Sequence, residues 1–131
     1  MRLKKLLAKD DRFISHCTAK YNSHEVFIME KHGTAFCELY WWDEDRSVIY
    51  IKLLSVDKWC RRRHLGTSLL KLCEQIGIEI GSVIACLTVK KHTWVHTWYK
   101  RKGYKDTETN YQDRTFMDMK KYLSKGESTN E

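Results

Sequence analysis

The stretch Val56-Asp57-Lys58-Trp59-Cys60-Arg61-Arg62-Arg63-His64-Leu65-Gly66-Thr67-Ser68-Leu69-Leu70 decides how this chain is read. Ser47–Val56 leads into it and is almost unbroken apolar apart from Lys52, the pattern of a central buried strand. Beyond it, Leu65, Leu69, Leu72, Cys73, Ile76 and Ile80 recur at helical spacing. Gly77 weakens that helix a little, and Gly81 supplies a stop. A buried strand, a basic turn and a helix therefore follow one another. A helix start offers unpaired N–H groups and the positive end of the dipole, so such a turn favours an anion. Gly66 lets a phosphate approach the main chain, and Arg61, Arg62 and Arg63 add forked donors. These residues predict a phosphate-bearing ligand, although arginines also stand before helices as a solvated turn.

Working outward, Leu3, Leu6, Leu7, Ile14 and Cys17 fall near helical spacing and predict an amphipathic helix at the start. Strand-like runs follow at Glu25–Glu30 and Thr34–Trp42, with a hairpin turn at Lys31-His32-Gly33 and an acidic turn at Asp43-Glu44-Asp45. Downstream, Ser82–Val89 reads as a strand and Thr93–Lys102 as an aromatic-rich helix ending at Gly103. Two last strands are expected over Tyr104–Glu108 and Arg114–Leu123. The order is helix, three strands, helix, strand, helix, two strands, an α+β domain with one mixed, mostly antiparallel sheet flanked by helices. Without proline, linker or repeat, residues 1–123 read as one domain and 124–131 as a polar tail.

The 131 residues are 42% hydrophobic and 12% aromatic, which excludes disorder. No apolar run is long enough for a membrane span or a secretory leader. Five cysteines with no close pair predict neither a disulfide framework nor a zinc knuckle, and a cytoplasmic location fits them. His92 and His96 form an i,i+4 pair but lack the glutamate of a zinc helix, so no metal is expected. The net charge is +7, and its placement matters more than its size. Residues 58–71 and 90–105 contain no acid yet hold eleven of the 24 lysines and arginines. An anionic ligand between them is one reading and two solvated faces the other.

Val56 to Leu70 resembles motif A of the GNAT N-acetyltransferases, with Arg61 at the Gln/Arg place and Gly66 at the final glycine. His64 stands where the first glycine is usual, Lys58 where proline is, and Trp59 where an acid is. Trp98-Tyr99-Lys100-Arg101-Lys102-Gly103-Tyr104 resembles the family's F-Y-x-x-x-G-F signature, and Met119-Lys120-Lys121-Tyr122-Leu123 its M-x-K-x-L ending. The likeness covers Glu25 to Leu123; the N-terminal end is shorter than in the family and is expected to be abbreviated or rearranged.

The resemblance implies transfer of an acetyl group from acetyl-CoA to a primary amine of a small molecule or peptide. It assigns the cofactor's phosphates to Arg61, Arg62, Arg63, His64, Leu65, Gly66 and Thr67, and its pantetheine arm to Leu54, Ser55 and Val56, with His92 beside that arm. Tyr99 takes the place of the general acid that protonates the departing thiolate; an unperturbed phenol, with a pKa of about 10, is protonated at neutral pH. The usual glutamate base on the fourth strand is Lys52 here, leaving Glu38, Asp57, His92, His96 or an ordered water as candidates. Lys100, Arg101 and Lys102 either reach the ribose phosphate or complement their helix's C-terminus. The alternative in another class is a non-catalytic descendant that binds CoA or a protein; a nucleic-acid module ranks last, since it leaves both signatures unexplained. The acceptor is not legible, the patch Tyr40-Trp41-Trp42 being either a pocket wall or a half-buried strand end, and a homodimer is an open possibility.

Overall fold

The computed structural model describes residues 10–57 and 64–124. Within them the chain runs β1 (Phe13–Ala19), β2 (Ser23–Glu30), β3 (Ala35–Trp42), β4 (Asp45–Val56), α1 (Leu65–Ile80), β5 (Ile84–Lys90), α2 (Trp94–Arg101), β6 (Lys105–Thr109) and β7 (Phe116–Tyr122). The strands form one seven-stranded sheet in the order β1-β2-β3-β4-β5-β7-β6. Only β4 and β5 pair in parallel, joined through α1; the other neighbours are antiparallel. This is the α+β fold with a mixed, mostly antiparallel sheet that the sequence predicts.

Strict alternation explains which face holds the core. Val26 and Ile28 of β2, Ala35, Cys37, Leu39 and Trp41 of β3, and Ile49 and Ile51 of β4 are buried on one side. The stripe Leu65, Leu69, Leu72, Cys73 and Ile76 of α1 covers that side. There the Cys73 and Cys37 thiols meet, Sγ to Sγ 3.4 Å. Both helices end in a glycine of positive φ, Gly81 at 99° and Gly103 at 96°. At each end the next residue's N–H closes a wide turn, Ser82 to the Gly77 carbonyl at 2.7 Å and Tyr104 to the Tyr99 carbonyl at 3.1 Å.

One expectation fails at the beginning of the chain. Ile14 and Cys17 lie in strand β1, not in a helix, while Leu3, Leu6 and Leu7 lie outside the described residues. All seven residues of β1 pair with β2, from Phe13↔Glu30 to Ala19↔His24. At three-residue spacing Ile14 and Cys17 point to opposite faces of a strand. Phe13 alone of the seven is buried, so β1 carries no alternation that the sequence could display. Of the polar tail, residues 125–131 lie outside the described residues.

Gly77 does more than weaken α1. A Cβ there would lie 2.9 Å from both Ile49 Cγ2 and Leu123 Cδ1, so the glycine lets the helix sit close on the sheet. Gly77→Ala gains about 1 kcal/mol of helix propensity but introduces overpacking of typically about 1–3 kcal/mol. We expect a net loss near 1 kcal/mol, read as a melting temperature lower by roughly 4 °C. A variant melting above the parent would show that the contact relaxes without cost.

Candidate active site

The sheet opens at its centre. β4 and β5 pair from Val48↔Ile84 to Ile51↔Leu87 and no further, although β4 continues to Val56 and β5 to Lys90. The cause is a bulge in β4. Glu38 of β3 faces Leu53 and Leu39 faces Ile51, which leaves Lys52 as an extra residue. A bulge bends its strand and raises the local twist, which carries the end of β4 away from β5. Beyond Ile51, Leu54 and Ser55 therefore have no strand partner on that edge among the described residues.

Two cavities occupy the opening. The first, about 300 Å³, is lined by Leu54, Ser55 and Val56 of β4, by His64, Gly66 and Thr67 at the start of α1, and by Trp94, Val95, Trp98 and Tyr99 of α2. The second, about 360 Å³, lies between the parted strands, with Ile51 and Lys52 on one bank and Leu87, Thr88, Val89, Lys90 and Phe116 on the other. Leu54, Trp94, Val95 and Tyr99 line both, so the cavities adjoin along α2.

The first cavity meets the open end of α1. His64 caps this helix with φ 59° and ψ 22°, the left-handed region that glycine adopts most easily. That conformation explains why a glycine suits this place in motif A and shows that a histidine adopts it. Among the described residues no side chain caps the helix and no acid stands in its first turn, so its leading N–H groups and dipole are not neutralised from within that turn. Gly66 keeps the surface low there: a Cβ would sit 3.4 Å from Val56 Cγ2 and 3.5 Å from Trp98 Cζ2.

Seven of the predicted site residues are thus brought together on one cavity: Leu54, Ser55, Val56, His64, Gly66, Thr67 and Tyr99. Leu65 turns into the core, 5% exposed, so only its backbone is offered. Arg61, Arg62 and Arg63, with Lys58, Trp59 and Cys60, lie outside the described residues. His92 lines neither cavity; its φ is 61°, and its N–H donates to His96 Nδ1 at 3.2 Å. His96 is 5% exposed, and its Nε2 contacts Asp106 Oδ1 at 2.7 Å. Accepting at Nδ1 and donating at Nε2, its ring holds the His92 turn against β6 and has no lone pair left for a substrate. Glu38 stands beside Lys52, Oε2 to Nζ 3.8 Å, and Asp57 is exposed at the end of β4. Of the second basic segment, Lys100 pairs with Asp106 at 3.6 Å and Lys102 rests over the Trp98 ring at 5.5 Å. Tyr40 and Trp41 diverge: Trp41 is buried and stacks on His24 at 5.2 Å, while Tyr40 stacks on Tyr50 at 5.0 Å.

Tyr99 is 6% exposed, held edge-on to Trp98 at 5.0 Å and to Tyr104 at 5.5 Å. Burial pushes its phenol above the ordinary tyrosine value, with the neighbouring Cys73 and Cys37 adding to the effect. Among the described residues its hydroxyl has no hydrogen-bond partner, which leaves it for a molecule in the cavities. Trp94, Val95 and Trp98 form walls that sequence reasoning left unassigned; the i,i+4 spacing of Trp94 and Trp98 was the available signal. Among the described residues, no three His, Cys, Asp or Glu side chains are grouped to hold a metal ion, and no helix is long and apolar enough to cross a membrane.

Comparison with known proteins agrees with this fold. No curated protein matches the chain. Among solved structures, a putative acyl-CoA N-acyltransferase from Klebsiella pneumoniae superposes with a TM-score of 0.66 at 18% identity, covering 82% of this chain and 77% of that one. The PaiA N-acetyltransferase of Thermoplasma acidophilum, solved with coenzyme A, gives 0.62 at 18% identity over 77% and 61% of the two chains. A GNAT family acetyltransferase from Elizabethkingia anophelis with acetyl-CoA bound gives 0.63 at 12% identity over 87% and 100%. The family model described as acetyltransferase (GNAT) domain matches residues 22–106, well over half of the sequence, and the chain therefore belongs to the GNAT acetyltransferase family.

Proposed function

We propose that the protein is an N-acetyltransferase that moves the acetyl group of acetyl-CoA to a primary amine by direct attack, with Tyr99 as general acid. One observation carries this reading: two cavities adjoin at Tyr99, one fed by an uncapped helix start and the other by the gap between β4 and β5. The first offers what a diphosphate and a pantetheine arm require, namely backbone N–H groups at His64 to Thr67, a glycine floor at Gly66 and the partnerless edge of β4 at Leu54 and Ser55. The second has room for an acceptor. Tyr99 lies between them, its phenol kept protonated by burial, where it can donate to a leaving thiolate. A backbone N–H of β4 facing the gap would stabilise charge developing on the thioester oxygen.

The reading is tested by binding and turnover together. Acetyl-CoA should raise the melting temperature, because a ligand selective for the folded state stabilises it. An oligonucleotide should not. Arg61→Glu combined with Arg63→Glu should weaken acetyl-CoA by about tenfold, the scale of one lost charge-assisted contact. An unchanged dissociation constant would remove the arginine turn from the phosphate cradle. Acetyl-CoA binding without thiol release over a wide amine panel would leave a binding protein, not an enzyme.

A further inference from the structure

The second cavity contains a polar couple that no part of the foregoing reading uses. Thr88 is exposed on its β5 bank, and Thr88 Oγ1 lies 2.8 Å from Asp118 Oδ1 on the adjacent strand β7. Residues 88 and 118 face each other directly in the β5–β7 register, so the contact is built into the sheet. A carboxylate only accepts, so the Thr88 hydroxyl donates to it. The lone pairs of that hydroxyl are thereby left for a donor. Asp118 is half-buried and also accepts from Asn110 Nδ2 at 3.0 Å, again at Oδ1, so Oδ2 has no hydrogen-bond partner among the described residues.

The other charges near the opening are differently engaged. Lys52 stands beside Glu38, and Asp106 is taken up by His96 and Lys100. Among the described residues Asp118 has no ion-pair partner; Glu108 of β6 faces it in the register, and Lys120 is two residues along its own strand. Lys52 and Lys90 sit on the cavity's two banks and oppose a cation there, so the attraction for an ammonium has to come from the Asp118 carboxylate behind Thr88. The remaining walls include Ile51, Leu54, Trp94 and Phe116, which suit an apolar or aromatic stem.

We propose that the second cavity receives the acceptor as a primary amine on an apolar or aromatic stem, its nitrogen docked on the Thr88 hydroxyl, with Asp118 as the carboxylate that takes its proton through Thr88. The catalytic half of this proposal rests on the acetyltransferase reading above; the docking half does not. The ammonium gives one proton to the Thr88 oxygen as the Thr88 proton passes to Asp118, and from there to water. The neutral nitrogen attacks the thioester carbonyl carbon; the C–N bond forms and the C–S bond breaks. Sulfur takes the Tyr99 proton, and the second nitrogen proton restores the phenol. Ammonium and thioester thus give amide, thiol and one proton to solvent, with Lys52 asked to do nothing as a base.

The test uses phenethylamine as the probe. Thr88→Val and Asp118→Asn should each lower phenethylamine-dependent thiol release from acetyl-CoA by about thirtyfold or more, in keeping with the loss of a positioned proton acceptor. Asn keeps the hydrogen bond from Thr88, so melting temperature and acetyl-CoA dissociation constant should stay near the parent's, and Asp118→Glu should recover part of the rate. Parental turnover in Thr88→Val and Asp118→Asn would overturn the proposal. Docking is read separately by titrating phenethylamine into CoA-saturated protein and following methyl resonances. The largest shift should fall on the Thr88 methyl group. A shift centred on the Glu38 and Tyr40 side of the sheet, or none, would overturn the proposal even if acetyl transfer itself were established. A Thr88-centred shift in protein that releases no thiol would instead uphold the docking site while removing the enzyme reading.

Discussion

Tyr99→Phe is expected to lower acetyl transfer by about 10²–10³-fold, the lower part of the usual range for a positioned general acid, while leaving the dissociation constant of acetyl-CoA within about twofold. The substitution deletes one oxygen and keeps the ring. Its edge-on contacts with Trp98 and Tyr104 therefore persist, and so do the bonds that the Tyr99 carbonyl accepts from the N–H groups of Lys102 and Tyr104. What is lost is a proton donor on the wall shared by both cavities. The pH profile adds an independent check. The phenol must be protonated to act as an acid, and burial moves its ionisation above the ordinary value, which is about 10. The rate plateau should then extend past pH 10 in the parent, with no alkaline fall at the pH of a solvated tyrosine. Parental turnover in Tyr99→Phe, or an alkaline limb near pH 10 that vanishes in the variant, would contradict this account of the acid or of its environment, respectively.

Much of the frame that holds Tyr99 is legible in the sequence, and the reasons are local. Leu65–Ile80 has the bounds expected of it because its apolar stripe and Gly81 act within the helix itself. Gly103 closes α2 for the same kind of reason, and the strand–turn–helix order follows from neighbouring residues. What escapes the sequence depends on register between distant segments. The bulge at Lys52 opens the sheet, yet it shows only when Glu38 is seen opposite Leu53 and Leu39 opposite Ile51. The Thr88–Asp118 couple needs the β5–β7 alignment across 30 positions. Strand β1 hides because six of its seven residues are exposed, so a chance three-residue spacing outweighs an absent alternation. His96 presents the opposite case. Its spacing from His92 makes it a candidate base, but the fold occupies both ring nitrogens.

The largest stability effect is expected from Lys121→Ala, by about 2–3 kcal/mol, at a residue that lines neither cavity. Lys121 Nζ lies 3.1 Å from Glu74 Oε1, with the two side chains 21% and 15% exposed. The other oxygen of Glu74 accepts from the Tyr104 hydroxyl at 2.9 Å, and the Lys121 ammonium sits 5.9 Å over the Tyr104 ring. One carboxylate thereby joins α1 to β7 and to the residue after Gly103. Removing one member of a fully buried pair costs about 3–5 kcal/mol because an uncompensated charge stays inside; the residual exposure here reduces that figure. The melting temperature should fall by roughly 8–10 °C. A charge argument makes a further claim that a packing argument does not. Adding Glu74→Gln to Lys121→Ala removes the stranded charge yet leaves an oxygen for Tyr104, so the double variant should be more stable than Lys121→Ala alone. Lost lysine packing predicts the reverse order, since the second substitution would then only subtract. Tyr104 packs on Tyr99 at 5.5 Å, so the recovered stability should bring recovered turnover with it. A double variant that melts below the single one would assign the role of Lys121 to its methylene chain against Gly103, where the Cβ position is 3.3 Å from Lys121 Cε, and not to its charge.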